Sequence, residues 1–561
     1  MDDTSAPESR YRYEALGAAA LVAVAYLLLR TAPALTAGAF SDDGVYLALG
    51  RALAEGDGFR SMYAVGEPVH MKYPPGLPLV YAILWRLGGD LVTVHAAATL
   101  LSLLATSATA GILWWIARAR LHVHPALAVV LAVGPFLLEG SVQYFNLPLS
   151  EPWFMLGWAL CLLAFPRAVE GGAGWGVLLG LTAAATTLVR TQAVVLLPAL
   201  MVAAWLKRRE WRRPALIGAA GVTPVILWMA WHGTMLAGGP GTSQPDEAAY
   251  VSWAPGSLGG ALALVAEIVR SQALRYWTAL PLHLAPWVWL GGALWIAVSA
   301  AFVAGIWRLR SVFPAVTLTT AGLAGVVLLW PYSQDRFVLA LLPFIGTLAA
   351  GWLQGVMPDG KATAWIHRAG SLALVATVLV VAVRQAQIRS LAEEDGDASS
   401  FYFHPAQFLP DNSEFVIAAS RWVISGAHED DRLLTPLSSA LWLYTGRRGV
   451  NSTPAEPNVG PSVFDVPGRF LASRVLEDDV TLLLLWNPNF LIARDGATVQ
   501  AACPEALQFL QMTNEPARVA IFRIRREDPC FESQFLEPAR AAEPWLGGAL
   551  AAGPRAGKPL Q

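Results

Sequence analysis

Ser41-Asp42-Asp43-Gly44-Val45-Tyr46-Leu47 follows the first long apolar run of the chain, Ala15 to Leu35, and the reading of the fold turns on it. Charge beside a bilayer is expensive and is usually kept for a task. The residues after the two acids have a helical pattern, with Val45, Ala48, Leu49, Ala52 and Leu53 on one face. This predicts a helix lying flat at a membrane surface. Lys72-Tyr73-Pro74-Pro75-Gly76, Ser150-Glu151-Pro152 and Gln334-Asp335-Arg336-Phe337 also put charge at the ends of greasy segments. A hydropathy reading places all of these segments on the same side.

The bulk composition agrees with a bilayer. Of 561 residues, 55% are hydrophobic and 14% charged, with mean hydropathy +0.47. A soluble globular chain carries roughly 25% charged residues. The expected class is therefore a mainly α, polytopic membrane protein with some soluble mass. A net charge of −2 argues against a nucleic-acid partner. Three cysteines, Cys161, Cys503 and Cys530, are too few for a disulfide-rich scaffold, and no zinc-type Cys/His spacing occurs. A pairing of Cys503 with Cys530 is left open. The first apolar run has no clear cleavage site after it and reads as an uncleaved first helix.

A spanning helix needs roughly 20 apolar residues. Candidate spans are 15–35, 91–116, 125–139, 152–166, 175–189, 192–206, 214–235, 284–306, 312–330, 337–355 and 369–383, about eleven by the length rule. Arg118 and Arg120, Arg167, Lys207-Arg208-Arg209 with Arg212-Arg213, and Arg308 with Arg310 then all fall on the cytoplasmic side. The run Leu77 to Leu87 would break that agreement if it crossed, so it is expected to be interfacial or re-entrant. A second surface helix is expected over Leu258 to Leu280. The charged segments lie outside, in a plasma (inner) membrane, together with everything after about residue 384. The expected organisation is a transmembrane domain over 1–385, a small extracytoplasmic mixed α/β domain over 386–533, and a disordered tail over 534–561. Strand-like runs in the second domain are Phe415-Val416-Ile417, Thr481 to Trp486 and Val519-Ala520-Ile521-Phe522, with turns at Asn487-Pro488-Asn489 and Asp495-Gly496.

Each charged residue has a plain reading beside a chemical one. Asp42 and Asp43 suit a first helical turn behind an N-capping Ser41, yet paired carboxylates there can also deprotonate an acceptor hydroxyl. Lys72 can snorkel from a rigid Pro-Pro entry, or bind a phosphate as a mobile point charge. Glu151 can cap a helix, orient an acceptor, or ligate a metal. Arg336 can pair with Asp335 at the interface, or grip a phosphate with its fork. Arg190, between two apolar runs, needs a cavity or a partner. His283 and Arg275 are weaker candidates.

These segments, in this order, resemble the GT-C superfamily of membrane glycosyltransferases, and more narrowly the protein O-mannosyltransferase and aminoarabinose-transferase branch. Such enzymes carry an acidic pair in the first outer loop, matched by Asp42-Asp43. A basic Pro-Pro segment follows, matched by Lys72-Tyr73-Pro74-Pro75-Gly76. A later acid at the head of a span is matched by Glu151. Asp335-Arg336-Phe337-Val338-Leu339-Ala340-Leu341-Leu342-Pro343-Phe344 resembles their late "R-[YF]-x-L-x-x-L-P" stretch. The resemblance covers roughly residues 10–385. It implies a polyprenyl-phosphate sugar donor, a glycan, lipid or protein acceptor, and inverting transfer on the extracytoplasmic face. Asp42 would be the base, supported by Asp43 and Glu151. Lys72, Arg190 and Arg336 would hold the donor phosphate, with Tyr73, His283 and Asp335 in support. It names no certain cofactor; a divalent metal is possible. Two departures, Asp-Asp in place of Asp-Glu and the Tyr between Lys72 and the prolines, leave the sugar unnamed. The rivals are a multi-pass transporter, a surface-anchored binding protein, and a lipid-linked glycan ligase or polymerase. A transporter would be expected to show internal repeats and charges near the bilayer midplane.

Overall fold

A helix rises 1.5 Å per residue, so only long apolar helices bridge a hydrocarbon core of about 30 Å. In a computed structural model of the chain, the described residues hold six such helices. They are Ser9–Leu28, Leu91–Arg120, Ser150–Glu170, Thr191–Arg208, Arg212–Trp231 and Arg336–Val356. Shorter apolar helices cover Gly76–Arg86, Pro125–Leu137, Ala173–Val189, Trp295–Leu309 and Pro314–Leu329. The structure describes residues 8–29, 37–70, 72–238, 262–263, 265–270, 288–329, 335–356, 405–451, 466–485, 491–513 and 518–541. The expected span 369–383, His283 and Arg275 lie outside them, as does most of the expected surface helix 258–280.

The membrane bundle packs α1 (Glu8–Leu29) on α4 (Leu91–Trp115), and α7 (Ser150–Glu170) and α10 (Arg212–Gly238) on α8 (Ala173–Val189). Trp158 of α7 is fully buried. Its ring stacks on Phe344 with centroids 3.4 Å apart, and its Nε1 donates to Thr319 Oγ1 at 2.9 Å. That one side chain ties α7 to α12 (Pro314–Leu329) and α13 (Asp335–Val356). Beside them α9 (Leu196–Arg208) packs on α10, and α11 (Val288–Leu309) on α13. The expected single span 125–139 is broken. A turn of α-helix, α5 (Pro125–Ala128), passes into a wider turn over Val129–Val133 and a tight one over Gly134–Leu137. Gly134-Pro135 explains the break, since proline lacks the N–H that would continue the ladder. The chain then resumes as α6 (Glu139–Phe145).

Two short helices lie at the bundle end that carries the acids, α2 (Asp42–Glu55) and α3 (Gly76–Arg86). Helical periodicity put Val45, Ala48, Leu49, Ala52 and Leu53 on the apolar face of α2. Tyr46 and Leu47, off that face, are buried as well. The outer domain covers them: Trp442 and Leu443 join Tyr46, Leu47, Leu77 and Tyr81 in one apolar cluster. The helix is therefore covered by the outer domain on a side that the periodicity left to solvent.

The outer domain has a five-stranded sheet in the order β2-β1-β3-β5-β4. The strands are β1 (Leu433–Thr435), β2 (Gly449–Asn451), β3 (Leu482–Leu485), β4 (Leu507–Met512) and β5 (Ala520–Ile524). The β1 strand runs parallel to β2 and β3, whereas β5 is antiparallel to β3 and β4. The expected strands near 481–486 and 519–522 are thus β3 and β5. Phe415-Val416-Ile417 is not a strand; it lies in α14 (Pro405–Gly426). Phe415, Val416, Ala419, Trp422 and Val423 are buried on one helical face, a period that a three-residue run does not disclose. Asp495-Gly496 is no turn either. It lies in a helix over Leu491–Ala502, where the Asp495 carboxylate accepts the Gly468 and Leu471 amides. Asn487-Pro488-Asn489 lies outside the described residues. Helical turns continue to Ala541 and bury Phe531 and Leu536, beyond the boundary expected at Ser533.

Cys503 and Cys530 form a disulfide, with Cα atoms 5.5 Å apart and a sequence separation of 27. It staples those last turns to the end of the Leu491–Ala502 helix. A loop of this length constrains the unfolded chain by about 3–4 kcal/mol. Cys503→Ser is expected to lower the unfolding midpoint of the outer domain accordingly. An unchanged midpoint in urea would show that the bridge constrains nothing.

Candidate active site

The backbone of residues 37–41 sets the site. It turns tightly, with Gly38 at φ +87° and Ser41 at φ 73°, a conformation unusual for a residue with a side chain. Asp43 holds that turn. It is almost fully buried, and its carboxylate accepts the Gly38 amide at 2.8 Å and the Phe40 amide at 3.0 Å. Burial pushes its carboxyl up to about 7, against the pull of those amides. Asp43 therefore faces its own turn. Ser41 stands at the head of α2 but makes no capping bond with its side chain.

Asp42 faces the other way. Its Oδ1 accepts the Tyr73 hydroxyl at 2.5 Å, and its Oδ2 pairs with the Arg336 guanidinium. Burial alone would raise its carboxyl. The charges of Arg336 and Lys72, with the Tyr73 hydroxyl, outweigh burial and hold it well below the usual carboxylate range. The residues its carboxylate engages thus lie outside its own helix.

Arg336 is the second residue of α13 and has only 6% of its side chain exposed. Its Nε lies 3.0 Å from Glu151 Oε1, so it bridges Asp42 and Glu151. Glu151, in the first turn of α7, has 1% exposure. The same oxygen lies 3.1 Å from Arg190 Nη1. Arg190 sits where α8 ends, in extended backbone before the tight turn Thr191–Val195. It also donates to Ser150 Oγ at 2.5 Å and to Gln192 Oε1 at 2.6 Å. The Tyr46 hydroxyl donates to Ser150 Oγ at 3.1 Å. Aromatic faces flank both guanidiniums: Phe337 lies 4.4 Å from Arg190 and Phe40 lies 4.8 Å from Arg336.

Lys72 lies beside Asp42 at Coulomb range, its Nζ 5.0 Å from the Tyr73 ring. The loop carrying both is stiffened by His70. Its Nε2 accepts the Tyr73 amide at 3.0 Å, and its Nδ1 lies 3.0 Å from Ser61 Oγ.

The four segments quoted from the sequence thus converge. Asp42, Lys72, Tyr73, Glu151, Arg190 and Arg336 meet at one end of the bundle. Asp43 is adjacent but turned away, Asp335 begins α13, and His283 lies outside the described residues. Tyr46, Ser150 and Gln192 were not singled out. Ser150 stood inside a quoted segment, and Gln192 is two residues from Arg190. Three cations, Lys72, Arg190 and Arg336, face the carboxylates of Asp42 and Glu151, while Asp43 beside them is engaged with its own turn. Two guanidinium forks and an ammonium so grouped are donors of the kind that grip an anion.

This arrangement sits in a fold that is known. The chain is similar to ArnT from Cupriavidus metallidurans in the apo state, with 14% identity over 90% of this chain and 96% of that one, and a TM-score of 0.50. Against the undecaprenyl phosphate-bound form the values are 13%, 91%, 97% and 0.50. The chain has the ArnT fold. The oligosaccharyltransferase from Archaeoglobus fulgidus shares it at 12% identity, over 84% of this chain and 70% of that one, with a TM-score of 0.51. No family model matches the chain, and no curated protein does.

Among the described residues one group of His, Cys, Asp and Glu side chains is close enough to hold a metal ion. Cys503, Asp528 and Cys530 have ligand atoms within 4.8 Å of one another. The two sulfurs are joined there as a disulfide, which removes the thiolates that metal binding requires.

Proposed function

We propose that this protein transfers a sugar from a polyprenyl-phosphate-linked donor to an acceptor hydroxyl of a glycan, lipid or protein. Transfer takes place at the extracytoplasmic face of the plasma (inner) membrane, with inversion. The observation that carries the reading is the convergence of Asp42 and Glu151 with the three cations Lys72, Arg190 and Arg336 at one end of an apolar bundle. A lipid phosphate is an anion delivered along such a surface. The ArnT structure with undecaprenyl phosphate bound shows a carrier of this class on the same fold.

Arg336 and Arg190 take the donor phosphate, with Lys72 as a third charge. Their forks suit its oxygens, and they stabilise the charge that develops as the bond from the anomeric carbon to phosphate oxygen breaks. Asp42 accepts the proton of the acceptor hydroxyl, whose oxygen forms the new bond to that carbon from the opposite face. In the ion pair with Arg336, Asp42 is a weak base. A phosphate that draws Arg336 away restores its basicity, so donor binding readies the base. Asp43 and Tyr73 position Asp42, and Glu151 positions the two arginines; Asp335 and His283 are supporting candidates. A divalent metal at Glu151 would have to displace both guanidiniums. Eleven spans place the basic clusters inside and the site outside. The domains divide near residue 385, and the partners are the donor, the acceptor and the bilayer, without nucleic acid.

The full-length protein in detergent should bind undecaprenyl phosphate at least about 10-fold tighter than undecaprenol, the worth of one charge-assisted hydrogen bond. Equal affinities, read by tryptophan fluorescence, would remove the phosphate site.

A further inference from the structure

One helix of the outer domain, α15 (Ser438–Thr445), lies directly on the turn that presents Asp42. The Ala37 amide is buried and donates to the Tyr444 hydroxyl at 2.9 Å. Gly38, in its left-handed conformation, touches Ala440 so closely that a Cβ there would collide with it. A Cβ on Gly44 would stand 2.8 Å from Ser439 Oγ, and that hydroxyl donates to the Ser41 carbonyl at 3.4 Å. The next residues of the outer domain hold the basic loop. The Gly449 amide donates to the Tyr63 carbonyl at 2.9 Å, and Arg448 pairs with Glu67. Arg51 of α2 lies 5.1 Å from the Trp442 ring and 5.6 Å from Trp85. Asp43 thus ties the 37–41 turn from inside, and α15 closes it from outside.

We infer that Tyr444 and Ala440 are positioning residues: the outer domain, through α15, sets the backbone of residues 37–41 and with it the place of the Asp42 carboxylate. The catalytic consequence rests on the function proposed above; the mechanical one does not. Asp43 and the Ser41 amide on the Gly38 carbonyl tie the turn from within, so the contacts that fix its outer side are those of α15, and small displacements of a base are costly in rate, about 100-fold for 1 Å. Removing the Tyr444 hydroxyl leaves a buried N–H without an acceptor.

The test uses the full-length protein, Tyr444→Phe and Ala440→Val, by hydrogen exchange in detergent. Amides of residues 37–46 should exchange roughly 5-fold faster or more, the penalty of an orphaned buried N–H, while β3 and β5 keep their protection. Undecaprenyl phosphate affinity should stay near the wild-type value, because Arg190 and Arg336 stand on other elements. Turnover of the endogenous lipid-linked sugar in membranes should fall. Unchanged exchange over 37–46 in both variants overturns the inference. So does faster exchange with wild-type turnover, or exchange rising equally across the outer sheet. If wild-type protein neither binds undecaprenyl phosphate nor consumes a lipid-linked sugar, the proposed function fails, while the exchange pattern still decides the mechanical claim.

Discussion

Asp42→Asn should lower sugar transfer by roughly 10²–10⁴-fold, the range for a lost acid–base group, with the protein still folded and still binding donor. Asparagine keeps the shape of the side chain and can still accept the Tyr73 hydroxyl, which lies 2.5 Å from Oδ1. It has no basic oxygen at neutral pH. Arg336 would lose its partner at Asp42 and keep the one at Glu151, 3.0 Å from its Nε. The phosphate contacts assigned to Arg190 and Lys72 do not run through Asp42. Donor affinity is therefore expected to hold or to rise, because Arg336 no longer has to leave an ion pair to reach the phosphate. Turnover of a folded Asp42→Asn protein near the wild-type rate would return Asp42 to a structural role. A larger loss in Glu151→Gln would make the two acids exchange roles.

Arg336→Ala should show the largest combined effect, on binding and on stability. Arg336 is buried and bridges Asp42 and Glu151, from separate segments of the chain. Breaking a buried ion pair by removing one partner typically costs about 3–5 kcal/mol, because the remaining charge stays buried. Glu151 would keep Arg190 at 3.1 Å; Asp42 would keep Tyr73. The thermal midpoint should therefore fall, and undecaprenyl phosphate affinity should fall at least about 10-fold with the loss of a charge-assisted contact. Arg336→Lys restores the charge but not the fork that reaches two carboxylates at once. It should recover stability in part and leave transfer impaired. Wild-type donor affinity in Arg336→Ala would move the phosphate site to Arg190.

The parts of this protein legible in its sequence were those with long-period signals. The apolar helices between Ala15 and Val356 stand out by length, and the charges at their ends stand out against them. The order and shared sidedness of Asp42, Lys72, Glu151 and Arg336 carried the GT-C resemblance, and the fold agrees with it. What distinguishes Asp42 from Asp43 was not legible, since adjacent acids differ only in which way the Gly38–Ser41 turn sends them. That turn depends on Gly38 meeting Ala440, about 400 residues away in sequence. The burial of Tyr46 and Leu47 depends on the same docking. Phe415-Val416-Ile417 misled because a short apolar run suits a strand and a buried helix alike. Gly134-Pro135 did carry a signal for the broken helix, but the apolar count across 125–139 masked it.

The most direct test of sugar transfer is mass spectrometry of lipid-linked sugars and surface glycans from cells with the wild-type protein, without it, and with Asp42→Asn alone. One polyprenyl-phosphate-linked sugar should accumulate when the protein is absent, one surface glycan should lose the corresponding sugar, and Asp42→Asn should reproduce both changes. Identical inventories in all three samples would contradict the account.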